Sequence, residues 1–237
     1  MTVENLPDEQ EMSIWDHVEE LRTRLLIGLG ALVVTTGISF AFAQNLMEIL
    51  AAPIGGLQEL QSIKITENVG VFMRVALLSG FILALPVMLY EILAFIMPGL
   101  YPHERRWLYI SIPTATLLFI GGVAFSYYFM LPTAVPFLVE FGNIPSRPTP
   151  SDYLGFVTNL LFWIGVAFET PLIVFILAKL KIVSPGMLLK QWRFAVVIIA
   201  ILAALITPTV DPVNMGLLMA PLFTIYLLSI FFAKLAT

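Results

Sequence analysis

One long apolar segment of this chain carries a carboxylate where only hydrocarbon would be expected. Residues 156–177 are apolar apart from two threonines, Asn159 and Glu169. About 20 apolar residues cross a hydrocarbon core of about 30 Å, so the segment predicts a membrane-spanning helix with Glu169 near the bilayer centre. An acidic side chain at that depth is costly, and it is expected to face the interior of a helix bundle or a water-filled cavity.

Pro171 makes the same segment more unusual. Proline has no backbone N–H and would leave the carbonyl of Ala167 free, which predicts a kink at Glu169. A kinked helix with an acid at mid-depth indicates a functional site. The alternative interpretation is a protonated glutamic acid that hydrogen-bonds to a neighbouring helix.

Two further acids lie in polar segments that border predicted spans. Glu20 and Arg22 belong to an amphipathic helix, because apolar residues recur at helical spacing from position 14 to position 25. Glu104 precedes two adjacent arginines. Taken singly, Glu20 could pair with Arg24 for only about 0.3–0.5 kcal/mol, and Glu104 could be a solvated surface charge. Together with Glu169, these acids suggest a site for a basic ligand that enters from the cytoplasm.

Other kinds of chemistry lack the residues they need. The chain has no cysteine, and its two histidines, His17 and His103, are too few for a typical metal site. It has neither a Gly-x-Ser-x-Gly motif nor a glycine-rich phosphate loop. We therefore expect no metal, no cofactor, no nucleic-acid partner and no enzymatic activity.

Composition sets the class of protein. Of the 237 residues, 59% are hydrophobic and 12% are charged, a balance typical of an integral membrane protein. Residues 1–12 are acidic and are expected to be disordered, with a single membrane domain over 13–237. The predicted spans are about 25–43, 71–97, 107–131, 156–178, 194–207 and 213–232.

The fifth of these segments is short. Residues 194–207 rise only about 21 Å as a helix, less than a normal hydrocarbon core. The last two segments therefore either cross where the membrane is thin or form a re-entrant hairpin. Crossing is favoured, because neither segment has a glycine-rich break. The expected fold is an all-α bundle of six transmembrane helices, with the last two short.

The distribution of basic residues predicts the orientation. With the N-terminus in the cytoplasm, nine basic residues lie inside and three outside, as the positive-inside rule requires. The inner residues are Arg22, Arg24, Arg105, Arg106, Lys179, Lys181, Lys190, Arg193 and Lys234. The outer residues are Lys64, Arg74 and Arg147. Both termini are therefore expected in the cytoplasm, and the expected location is a bacterial cytoplasmic membrane.

Four stretches together resemble a known family. They are 17–25 (HVEELRTRL), 95–106 (FIMPGLYPHERR), 168–171 (FETP) and Thr207-Pro208 with Asp211. The combination resembles the TatC family of the twin-arginine protein translocase. The resemblance implies a six-helix bundle with a concave face that receives signal peptides bearing two consecutive arginines. It also implies TatA and TatB partners, a homo-oligomeric receptor complex and export of folded proteins driven by the proton-motive force.

The resemblance also implies roles for particular residues. Glu20 and Glu104 correspond to the acids that bind the arginine pair, with Arg22 and Phe95 in the same patch. Glu169 corresponds to the intramembrane glutamate at the foot of the concave face.

The remaining implied roles lie on the outer side. Pro53 and Asp211 correspond to residues needed for transport, and Thr207 to a polar cluster where partner helices dock. Met215 stands where the family often has glutamine, which weakens that cluster.

The alternative function belongs to another class of membrane protein. A small proton-coupled secondary transporter could use Glu169 as a proton relay. Such transporters usually have broken helices in matching halves of the chain, and this sequence has no evident pair of them.

Overall fold

A computed structural model describes residues 14–96, 102–140, 147–207 and 212–236. The regular structure within these ranges is helical. Its helices are α1 Ile14–Phe40, α2 Ala43–Ala51, α3 Glu67–Ile96, α4 Pro102–Phe125, α5 Leu131–Glu140, α6 Pro150–Phe168, α7 Thr170–Lys179, α8 Pro185–Lys190, α9 Trp192–Ile206 and α10 Pro212–Ala236. The segment 1–12, for which disorder is predicted, lies outside the described residues.

Five helical stretches are long and apolar enough to cross a membrane, and α9 is a sixth, shorter apolar helix. Two of the five are pairs of consecutive helices, α4 with α5 and α6 with α7. The predicted six-span bundle is confirmed. Only α9, with 15 residues, is short. In α10, Pro212 begins the helix and the chain remains helical through Ala236, giving 25 residues.

The third span also differs from its predicted end. The span was predicted to end at about residue 131, before Pro132 and Pro136, but both prolines lie inside α5. A π-helical turn over Ser126–Met130 joins α4 to α5, with the Leu131 N–H bonded to the Ser126 carbonyl. A π turn changes the register of the backbone hydrogen bonds, so the missing N–H of a proline need not end the helix.

Helix α1 is continuous from its amphipathic part into the membrane-spanning part, as predicted, and it packs chiefly on α3. Gly80 allows this close approach, since a Cβ built there would lie 2.6 Å from the Cα of Thr36. The hydroxyl of Thr35 donates to the Gly80 carbonyl at 2.8 Å. Small residues and side-chain hydrogen bonds are typical of helix pairs in membranes.

We call the two ends of the bundle the α2 end and the α8 end, after the short helices there. At the α2 end, Pro53 lies in the 3-10 turn that follows α2 and cannot donate to the Ile49 carbonyl four residues earlier. That carbonyl accepts from the Ala52 N–H and also from the Tyr127 hydroxyl, the latter at 2.8 Å. The Leu50 carbonyl accepts from the buried Tyr153 hydroxyl at 2.9 Å. Side chains of the bundle thus satisfy the end of α2.

Candidate functional site

At the α8 end, charged and aromatic side chains of α1 and α3 meet. Arg24 donates to two carboxylates, from Nη1 to Glu91 Oε2 at 3.0 Å and from Nη2 to Glu20 Oε1 at 3.3 Å. The rings of His17 and Phe95 stack with their centroids 4.3 Å apart. We call these five residues the α1–α3 cluster.

Helix geometry explains the cluster. His17, Glu20 and Arg24 recur at spacings of three and four, so they share one face of α1. Glu91 and Phe95 are four apart on α3 and share the face that meets it. Glu91 is buried, and Arg24 offsets the cost of burying its charge.

The cluster has an excess of negative charge, because one arginine pairs with two carboxylates. A cavity of about 390 Å³ lies directly beside it. The cavity is lined by Arg24 and Glu91 and by the apolar side chains of Leu21, Leu25, Leu29, Leu32, Met88, Ile92 and Phe95. The arrangement can accept a cationic group next to an apolar one.

The predicted ligand-binding residues are only partly brought together. Glu20 and Phe95 lie in the α1–α3 cluster. Arg22 is exposed, and its position two residues from Glu20 directs it to another side of α1. Glu104 lies in the first turn of α4, and its side chain lies outside the described part of the structure. Helix α4 begins six positions after Ile96, the last residue of α3, so Glu104 is at the same end of the bundle as the cluster.

Sequence reasoning missed the roles of His17, Arg24 and Glu91. Arg24 was considered only as an intrahelical partner of Glu20. Glu91 could have been found by the signal that identified Glu169, an acid within an apolar segment. Its partner on another helix could not be found from spacing along the chain.

The helix is interrupted at Glu169, the residue where a kink is predicted. Helix α6 ends at Phe168 and α7 begins at Thr170, with Glu169 between them. The Glu169 carbonyl accepts from the amides of Leu172 and Ile173 at 3.1 and 3.0 Å. Pro171, which is buried, follows two residues later and has no N–H to continue the α6 ladder.

The Glu169 carboxylate has an unusual environment. Its Oε1 atom is buried and has no hydrogen-bond partner among the described residues. Glu169 lies ten residues, or about 15 Å, from Lys179 at the α8 end of the helix, which is about half a hydrocarbon core. Gly165, one turn earlier, packs against Gly122 of α4, where an added Cβ would lie 2.9 Å from the Gly165 Cα. The unsatisfied Oε1 of Glu169 therefore lies at the break between α6 and α7, one turn from a close contact between α6 and α4.

Of the residues predicted to serve transport or partner docking, Pro53 and Thr207 lie at the α2 end. The Thr207 hydroxyl donates to the Ala203 carbonyl at 2.7 Å, so it is satisfied within its own helix. Asp211 lies outside the described residues. Among the residues that the structure describes, no three histidine, cysteine, aspartate or glutamate side chains come together as a metal site would need.

These features define an all-helical multi-pass membrane protein with a charged cluster at one end and a carboxylate at mid-depth. Residues 16–221 match the family model for Sec-independent protein translocase protein (TatC). The chain therefore belongs to the TatC family, and the resemblance seen in its motifs is confirmed.

Relatives match over nearly the whole chain. The Sec-independent protein translocase protein TatC of Deinococcus radiodurans is 40% identical, covering 96% of this chain and 88% of that protein. The TatC protein of Carboxydothermus hydrogenoformans is 35% identical, covering 96% of this chain and 95% of its own length. A crystal structure of the twin-arginine translocase receptor TatC superposes with a TM-score of 0.83 at 36% identity, covering 93% of this chain and 99% of that one. None of these similarities supports the small-molecule transporter considered above.

Proposed function

We propose that this chain is the receptor subunit of a twin-arginine translocase and that its α1–α3 cluster, with Glu104, binds the two arginines of a signal peptide. The observation that carries the proposal is the cluster itself, two carboxylates held by one arginine next to an apolar cavity. The similar solved protein is a twin-arginine translocase receptor. The family relationship supports the same role here.

Binding proceeds by exchange of arginines. In the free protein Arg24 occupies one oxygen of Glu20, and Glu91 offers Arg24 a second carboxylate. A signal-peptide arginine that approaches Glu20 displaces Arg24, which stays paired with Glu91. The second arginine of the peptide pairs with Glu104. A guanidinium presents a planar fork that matches a carboxylate, whereas the ammonium of lysine does not, so the exchange favours arginine.

The same proposal covers the wider assembly. The chain lies in a bacterial cytoplasmic membrane with both termini in the cytoplasm and forms a homo-oligomer. It works with TatA and TatB, uses the proton-motive force and catalyses no covalent reaction. Pro53, Thr207 and Asp211 serve partner docking or transport at the α2 end. Glu169 is a polar contact for the inserted peptide or its partners at mid-depth.

Crosslinking to a twin-arginine signal peptide tests the proposal. Glu20→Gln and Glu104→Gln should each weaken crosslinking roughly ten-fold, because charge-assisted hydrogen bonds contribute about 1.5–3 kcal/mol. The double variant should weaken it further, and a peptide with two lysines should crosslink poorly to the unaltered chain. Glu19→Gln is the matched control, since Glu19 is exposed and adjacent to Glu20. Variants at Glu20 and Glu104 that still prefer paired arginines as strongly as the unaltered chain would refute the proposal.

A further inference from the structure

A second charged site lies far from the α1–α3 cluster, near the α2 end. Arg74 is on α3, seven residues or about 10 Å from the start of that helix at Glu67. Nη1 of Arg74 lies against the backbone of α6, since a Cβ built at Gly155 would be 2.5 Å from it. No carboxylate in the described part of the chain forms an ion pair with Arg74, whereas Arg24 pairs with two. Arg74 is exposed, so its guanidinium is available to an anion from outside the chain.

The space beside Arg74 is a groove between α1, α3 and α6 with a volume of about 580 Å³. We call it the Arg74 groove. Its lining is Leu32, Arg74, Leu77, Leu78, Phe81, Gly155, Thr158, Asn159 and Phe162. Apart from Arg74, its polar groups are the side chains of Thr158 and Asn159, and the Thr158 hydroxyl already donates to the Leu154 carbonyl at 2.7 Å.

The groove extends from the cation toward the middle of the bundle. Phe81 is seven residues beyond Arg74, and Phe162 is seven beyond Gly155, so each lies about 10 Å deeper. Their rings meet edge to face with centroids 5.2 Å apart, and both line the groove at the end farther from Arg74. The site therefore has a cation at one end, apolar side chains along its length and two aromatic rings at the other end.

We propose that the Arg74 groove binds one anionic phospholipid, with its phosphate on the Arg74 guanidinium and an acyl chain along the apolar walls. Arginine binds phosphate through two parallel N–H donors. The depth of Arg74, just inside the start of α3, matches the headgroup level of one leaflet. The groove offers no described acid to pair with the ammonium group of a zwitterionic lipid. The net charge of the headgroup therefore decides between lipids.

Lipid binding to the purified full chain in non-ionic detergent tests this inference without any signal peptide. The probes are dioleoylphosphatidylglycerol and dioleoylphosphatidylcholine, which share acyl chains and differ in net charge. Native mass spectrometry should show one phosphatidylglycerol retained per chain at concentrations where phosphatidylcholine is lost. Arg74→Gln should weaken that retention by about ten-fold, as expected for the loss of a charged hydrogen-bonded contact.

A second variant changes the shape of the groove and keeps the charge of Arg74. Gly155→Ala places a methyl group 2.5 Å from Nη1 of Arg74, so the guanidinium must shift, and the variant should also weaken phosphatidylglycerol retention. Gly70→Ala is its control, because a Cβ at Gly70 meets nothing within 4 Å. Circular dichroism should show equal helicity for all the variants. Two results would overturn the inference: unchanged retention of phosphatidylglycerol by Arg74→Gln, or equal retention of the two lipids by the unaltered chain. It would also be overturned if a transmembrane peptide with a central glutamate displaced both lipids from the chain.

Discussion

Glu67 and Glu169 are two glutamates at helix boundaries, and their environments are opposite. Glu67 begins α3 and accepts three backbone hydrogen bonds, from Ser151 at 2.9 Å, Ile63 at 3.3 Å and Lys64 at 3.4 Å. Its carboxylate joins α3 to the start of α6 and to the preceding loop. Glu169 lies at the break between α6 and α7 and has a buried oxygen with no described partner.

The difference distinguishes an acid that holds helices together from an acid that is free to contact another molecule. Buried polar groups are normally hydrogen-bonded, so a carboxylate that the fold leaves unsatisfied indicates a use other than stability. Glu91 is intermediate, because Arg24 is its ion-pair partner and that arginine is shared with Glu20. We therefore expect substitution of Glu169 to affect transport most, substitution of Glu67 to affect stability, and substitution of Glu91 to have an intermediate effect.

The largest effect is expected for transport at Glu169. Glu169→Ala should lower export of a folded reporter by about ten-fold or more while leaving the helical fold intact, because it removes a carboxylate whose buried Oε1 is not satisfied by any described residue. Glu169→Gln should retain partial export. Export by Glu169→Ala at the level of the unaltered chain would show that the unsatisfied oxygen has no function. Export by Glu169→Gln at that level would exclude a proton relay.

Substitution of Glu67 should lower stability and leave signal-peptide binding unchanged, the reverse of what is expected at Glu169. Glu67→Gln replaces one acceptor oxygen with an NH₂ group, which cannot accept from the amides that now bond there. The variant should unfold at a temperature several degrees lower, measured by thermal unfolding in detergent. Signal-peptide crosslinking should remain for the molecules that stay folded. Glu48→Gln, an exposed change on α2, is the control. Equal unfolding temperatures for the two variants would show that the Glu67 carboxylate does not stabilise the fold.

Changes around Arg24 should alter peptide binding by smaller amounts and in opposite directions. Arg24→Gln frees Glu20 and should strengthen signal-peptide crosslinking by about two- to three-fold, since a partly exposed ion pair contributes about 0.2–1 kcal/mol. Glu91→Gln leaves Glu20 as the only charged partner of Arg24 and should weaken crosslinking by a similar factor. Titration of peptide against each variant measures both effects. Shifts in the same direction would refute the exchange of arginines.

The smallest effect concerns the membrane beside α9. A 15-residue helix rises about 22 Å, so the bilayer should be thinner there, at a cost of fractions of a kcal/mol per Å. Helix α9 also packs on α6, so thinning would bring water closer to Glu169. Depth-dependent quenching of labels at both ends of α9 measures the thickness. Full bilayer thickness along α9 would exclude the thinning.

Much of the fold could be predicted, because local patterns determine it. Apolar length located the six spans, and Pro171 located the break at Glu169. The continuation of α4 into α5 could not be predicted, because Pro132 and Pro136 ordinarily indicate a loop and the π turn that accommodates them has no clear sequence signal. The end of α10 beyond residue 232 was missed because Lys234 was interpreted as lying outside the helix.

The candidate site was less predictable. Glu20 and Phe95 were identified from their motifs. The ion pair of Arg24 with Glu91 joins residues 67 positions apart, and a single sequence carries no signal for such a contact. The family resemblance grouped Arg22 with Glu20, although two positions along a helix turn a side chain by about 200°.

The packing of α1 chiefly on α3 has a consequence for biosynthesis. These two helices are consecutive spans, so their contacts need nothing beyond residue 96 of the chain. During synthesis, which proceeds from the N-terminus at about 5–20 residues per second, they can pair while the later helices are still being made. Glu20, Arg24 and Glu91 would thus come together in the nascent chain, several seconds before α10 leaves the ribosome.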